Sequence, residues 1–174
     1  PIASYDVELS TNGADYQEAS PASVTGGVTA WTPNYDMSDG EYWIRVKAVD
    51  QAGNKSGNWR AAAAPYQLDA TKPVINTNSW DPVNDSWIGS STYTVEVDIT
   101  DPMGDGGTYS SGLNTGAGSL AINLSPAATV GTESWSGDTL QIPLSSLVDQ
   151  TEYTLKVDIK DNAGNPADQG VLTF

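Results

Sequence analysis

Apolar and polar residues alternate along several stretches of this chain. Tyr93, Val95, Val97 and Ile99 alternate with Thr94, Glu96, Asp98 and Thr100. A period of two over eight residues predicts a β-strand with one buried face. Leu120, Ile122 and Leu124 form a second such set, Leu140, Ile142 and Leu144 a third, and Tyr153, Leu155, Val157 and Ile159 a fourth. Short strands are expected at Val74 to Thr77 and from Val171 to Phe174. Between them lie turn-rich segments: Trp80 to Ser90, the glycine-rich run Asp101 to Gly118, and Pro126 to Asp138 with Trp135 inside it. No stretch carries the i, i+3, i+4, i+7 spacing of a convincing helix. Ala61 to Ala64 would permit one, but Pro65 ends it. Six or seven short antiparallel strands, each with one apolar face, are expected to pack as a β-sandwich.

One pattern occurs twice. Asp39-Gly40-Glu41-Tyr42-Trp43-Ile44-Arg45-Val46-Lys47-Ala48-Val49-Asp50-Gln51-Ala52-Gly53-Asn54 is echoed by Gln150-Thr151-Glu152-Tyr153-Thr154-Leu155-Lys156-Val157-Asp158-Ile159-Lys160-Asp161-Asn162-Ala163-Gly164-Asn165. The offset is 111 positions from Tyr42 to Tyr153, and again from Asp50 to Asp161. An internal repeat points to an array of modules. Ser4 to Ser10 matches Ser119 to Ser125, and no segment of the first copy matches Val74 to Ile99. The expected division is residues 1–70, the C-terminal part of one module, and residues 71–174, a complete one. Either the chain is a fragment, or strands from elsewhere complete the first copy.

Leu147 to Tyr153 resembles the tyrosine corner of immunoglobulin-like and fibronectin type III sandwiches. With the strand through Ile159, the turn Asp161-Asn162-Ala163-Gly164-Asn165 and the linker Asp69-Ala70-Thr71-Lys72-Pro73, the chain resembles the bacterial immunoglobulin-like repeats of exported surface proteins. The resemblance implies an all-β chain of tandem antiparallel sandwiches, the first lacking its N-terminal strands. It also implies an extracellular or cell-surface location, and a role as adhesin stalk, spacer or accessory module. Tyr42 and Tyr153 are then expected to be buried, each hydroxyl bonded to backbone just upstream.

Composition narrows the chemistry. Asp and Glu number 22 against 7 Lys and Arg, a net charge of −15. That disfavours nucleic acid and anionic membrane surfaces as partners. It suits cations, and it also suits mere solubility. There is no cysteine and no histidine. Disulfides, thiolate chemistry and serine–histidine arrangements are therefore excluded. No apolar run approaches the roughly 20 residues of a membrane span. No residue set points to an enzyme.

In a sandwich whose strands alternate in direction, the second and sixth strands end at the same pole. Asp101 and Asp161 follow those strands, and the linker brings Asp69 to that pole. Asp105 sits in the adjoining loop, and Asp39 in the turn before Tyr42. Calcium takes six to eight oxygens, and this set offers them. Asp50 and Asp161 equally suit a turn-forming role, with Gly at positive φ and Asn as cap. Trp43 falls between Tyr42 and Ile44 on the outward face, where Arg45 or Lys47 could stack on it as a ligand surface. Trp31, Trp59, Trp80, Trp87 and Trp135 are expected to cap sandwich edges. The expected role is a stalk or spacer of a bacterial surface adhesin or filament, stiffened by calcium at the module junction. The alternative is an accessory or glycan-binding module of a secreted enzyme. Expected partners are neighbouring modules of the same or another chain, including strands donated to residues 1–70.

Overall fold

The structure, a computed structural model, describes residues 1–28, 30–34 and 36–174. It is all-β: thirteen antiparallel strands and no helix among the described residues. The chain divides into two compact units. One comprises Pro1–Ala70 with Met103–Ser110, the other Thr71–Pro102 with Ser111–Phe174.

The first unit is one sheet. Strands β1 (Ile2–Ser10), β2 (Gln17–Thr25), β3 (Gly40–Asp50) and β4 (Arg60–Ala61) run in the order β2-β1-β3-β4, and β5 (Tyr66–Leu68) also pairs with β3. The register sets Tyr5 opposite Ala48, Val7 opposite Val46 and Leu9 opposite Ile44. The apolar alternation of both strands thus falls on one face. Asp6 opposite Lys47 and Glu8 opposite Arg45 fall on the other. The loop 103–110 belongs to this unit because Asp39 and Gln67 hold it. The Asp39 carbonyl accepts from Thr108 N at 3.0 Å, and Tyr109 Oη donates to Gln67 Oε1 at 3.1 Å.

The second unit is a sandwich. One sheet orders β10 (Ser134–Ser136), β11 (Thr139–Ser145), β7 (Thr92–Thr100) and β6 (Val74–Ile75), with β9 (Thr129–Val130) also on β11. The other is β13 (Gly170–Thr173), β12 (Thr154–Ile159) and β8 (Leu120–Ser125). Their inner faces share one core. Val95, Val97 and Ile99 of β7 and Leu140, Ile142 and Leu144 of β11 meet Leu155, Val157 and Ile159 of β12 and Leu172 of β13. All ten are buried, as period-two alternation demands. Trp135, expected in a loop, lies instead in the short edge strand β10, opposite Leu140.

The tyrosine corner is present in the second unit. Tyr153 is 3% exposed, its ring stacked on Phe174 with centroids 5.7 Å apart. Its hydroxyl accepts from Val148 N at 2.9 Å. Tyr42 also bonds backbone upstream, donating to Ser38 O at 2.6 Å. It is only half-buried, contrary to expectation, because no second sheet covers its face among the described residues.

Candidate metal centre and aromatic surfaces

The two Asp-x-Ala-Gly-Asn turns are built alike. Asp50 Oδ1 accepts from the backbone N–H groups of Ala52 and Asn54, both at 2.8 Å, and Oδ2 from Asn54 Nδ2 at 2.9 Å. Asp161 Oδ1 accepts from Gly164 N at 2.6 Å and Asn165 N at 2.7 Å, and Oδ2 from Asn165 Nδ2 at 2.7 Å. Gly53 and Gly164 take φ of 86° and 98°, the left-handed region that glycine enters at little cost. The Asn54 side chain, with its backbone N–H, holds the Asp50 carboxyl below the ordinary carboxylate value.

The surroundings of the two turns differ. Asp161 is fully buried, whereas Asp50 is partly exposed. Around Asp161 the loop 111–113 closes in. Asn162 N donates to Gly112 O at 2.9 Å and Asn162 Nδ2 to Ser111 O at 2.8 Å. Asp101 ties down the same loop, accepting from Gly112 N at 2.7 Å. Within the second unit, Asp101 and Asp161 each place a carboxylate oxygen within 4.8 Å of the other. Two like charges at that separation repel, and a shared cation removes the cost. A carboxylate oxygen that accepts one N–H bond keeps a second lone pair for a metal.

The other expected ligands are placed as follows. Asp69 follows β5 directly, near the end of the first unit. Asp105 is exposed in the tight turn closed by Gly107 N donating to Gly104 O at 2.8 Å, and it joins no carboxylate group among the described residues. Asp39 is 6% exposed and works as a staple. Its Oδ1 accepts from Ala70 N at 2.8 Å and its Oδ2 from Gly104 N at 3.2 Å.

On the polar face of β1 and β3 the cations do stack on rings, but not on Trp43. The Arg45 guanidinium lies 4.0 Å from the Tyr16 ring centroid and 4.8 Å from that of Trp59, and Lys47 Nζ lies 4.9 Å from Trp59. Glu8 Oε2 accepts from Arg45 Nε at 2.6 Å. Trp43 packs on Gly13 instead, where an added Cβ would come within 3.0 Å of the indole. The ring partners arrive from Tyr16, just before β2, and Trp59, just before β4, so strand alternation within β3 could not reveal them.

The family description "Bacterial Ig-like domain" matches residues 3–61 and again residues 114–169, together about two thirds of the chain. This chain belongs to the bacterial Ig-like domains. The two matches cover β1 to β4 with the first Asp-x-Ala-Gly-Asn turn, and β8 to β12 with the second. Among curated proteins no sequence matches. Among solved structures, the chain is similar to a Bacteroides ovatus protein described as mixed-linkage glucan utilization locus SGBP-B in complex with mixed-linkage heptasaccharide. Identity is 15% over 96% of this chain and 36% of that one, with a TM-score of 0.23. This chain thus spans about a third of that protein, and a likeness this slight carries no argument about ligand. No helix among the described residues is long and apolar enough to cross a membrane.

Proposed function

We propose that this Ig-like pair is a non-catalytic spacer of an exported bacterial surface protein, such as an adhesin or filament, stiffened by calcium where one module meets the next. The observation that carries this reading is the repeat itself: two copies of one Ig-like module on a strongly acidic chain. Repetition suits reach and spacing.

The calcium part rests on the Asp101–Asp161 pair. The further ligand expected from the sequence is Asp69, two residues ahead of Thr71 in the chain. The Thr71 carbonyl accepts from Asn165 Nδ2 at 3.4 Å, and Asn165 also donates to Asp161. Backbone carbonyls and water complete the six to eight oxygens that calcium takes. Calcium bound only by the folded state raises stability by mass action. Millimolar calcium should therefore raise the melting temperature of the intact chain above that in chelator. It should also narrow the distribution of interatomic distances seen in small-angle X-ray scattering. Asp101→Asn should remove both effects and leave the fold intact. A melting temperature and scattering profile indifferent to calcium would contradict the calcium reading.

The partners of this spacer are neighbouring modules. Val7 is buried, yet Ile44, Val46 and Ala48 on the same face stay partly exposed. That supports strands of another segment docking over β1 and β3, as β7 and β11 cover β12 in the second unit.

A further inference from the structure

The tryptophans divide by what occupies their rings. Trp80 is buried in the core, and Trp59 carries Arg45 and Lys47. Trp43 lies on Gly13, and Trp31 Nε1 donates to Pro21 O at 3.1 Å. Trp135 packs against the core from β10. Trp87 is different. It is 88% exposed, and among the described residues no ring or cation stacks on it. Burying an indole is among the largest gains a side chain offers. A bare indole is therefore available as a platform for a ligand.

Trp87 stands beside a cavity of about 310 Å³ in the second unit, lined also by Ser91, Val148, Asp149, Gln150 and Tyr153. That volume lies at the low end of small-ligand sites, roughly 300–1,000 Å³. The Tyr153–Phe174 stack contributes an aromatic wall. Gln150 takes φ of 58°, a left-handed conformation uncommon for a residue other than glycine. It lies in the turn between β11 and β12, and this conformation fixes where that turn carries the Gln150 amide. Among the described residues, the Asp149 carboxylate and the Gln150 amide make no side-chain hydrogen bond within the protein, so both are available to a guest.

The chemistry of this lining selects its ligand. No lysine or arginine lines the cavity, and the chain's net charge is −15, so an anion is repelled. A wholly apolar guest would strip water from Ser91, Asp149 and Gln150 and give nothing back. A pyranose ring fits both demands. Its C–H face is weakly positive and matches the negative face of an indole, and its hydroxyls both donate and accept. We infer that this cavity binds a neutral oligosaccharide, Trp87 stacking on one sugar ring while Asp149 and Gln150 bond its hydroxyls. The inference is independent of the calcium reading, because it uses the loops 87–91 and 147–151 and none of the aspartates at the other site.

The test titrates cellohexaose, laminarihexaose, maltohexaose and xylohexaose separately into the intact chain, read by calorimetry and tryptophan fluorescence. At least one should bind. Trp87→Ala should weaken that binding by about tenfold or more, roughly 1.4 kcal/mol, with the melting temperature unchanged. Trp87→Phe should keep part of the affinity. Heat from none of the four sugars would overturn the inference, as would binding that survives Trp87→Ala. So would a dimer in sedimentation that Trp87→Ala dissolves while no sugar binds, since the indole would then serve a second copy of this chain.

Discussion

Strands β3 and β12 carry the same repeat and live in different surroundings. Ile44, Val46 and Ala48 stand where Leu155, Val157 and Ile159 stand in the second copy. The first three are partly exposed, while the second three are at most 1% exposed. Their alternation is alike and their cross-strand pairing is alike, β3 on β1 and β12 on β8. What differs is the facing layer. β12 looks onto β7 and β11, and no second sheet lies over β3 among the described residues. Sequence pattern chooses which face turns inward, but a second sheet decides how much water leaves. The same contrast repeats in detail at the tyrosine pair, Tyr153 against Tyr42, and at the turn pair, Asp161 against Asp50.

Truncating matched core positions should break the symmetry most visibly. Leu155→Ala should cost about 2–5 kcal/mol, the range for a buried leucine that leaves a cavity. Ile44→Ala should cost less, about 1 kcal/mol, since half-covered surface gains less from burial. Urea unfolding of the intact chain, followed by circular dichroism, measures both. Equal losses would mean that β3 is as well covered as β12.

Removing one hydroxyl should have a smaller effect. Tyr153→Phe leaves the Val148 N–H without its acceptor, at a cost of about 1–3 kcal/mol. Tyr42→Phe frees the carbonyl of Ser38, which water can reach, so the loss should fall below about 1 kcal/mol. The same urea series reads the difference.

The smallest effect concerns acid. The Asp50 carboxyl is held below its ordinary value by Asn54. A carboxyl lowered in the folded state stabilises fully above its unfolded value of about 3.9, and loses that contribution as pH falls through the folded value. Asp50→Asn should therefore be less stable than the parent chain at neutral pH and lose less than the parent does on acidification below about pH 4. Unfolding curves at neutral and strongly acidic pH check this. A gap between the two proteins that widens in acid would reverse the assignment.

Much of the second unit is legible from residue alternation, because β7, β11 and β12 each bury one full apolar set. The tyrosine corner at Tyr153 and the glycine-bearing turn at Asp161 are legible for the same local reason: their partners lie within five positions. Features set by tertiary contact are not. Asp39 holds a loop 65 positions away, so its staple role leaves no mark in the turn around it. Trp43 shares a strand with Arg45, yet the cation finds Tyr16 and Trp59 across the sheet. Trp87 sits in a turn-rich run that looks like an edge cap, and only the folded loops leave its indole bare. The meeting of Asp101 with Asp161 follows from strand direction, which alternation and turn positions do supply.

Native-state hydrogen exchange on the intact chain tests the central contrast most directly, because it perturbs nothing. The amides of Leu155, Val157 and Ile159 should exchange only through unfolding of the whole second unit. Those of Ile44, Val46 and Ala48 should exchange orders of magnitude faster, through opening of a sheet covered on one side only. Matched protection across the two strands would contradict the account, since β3 would then lie under a layer as complete as the one over β12.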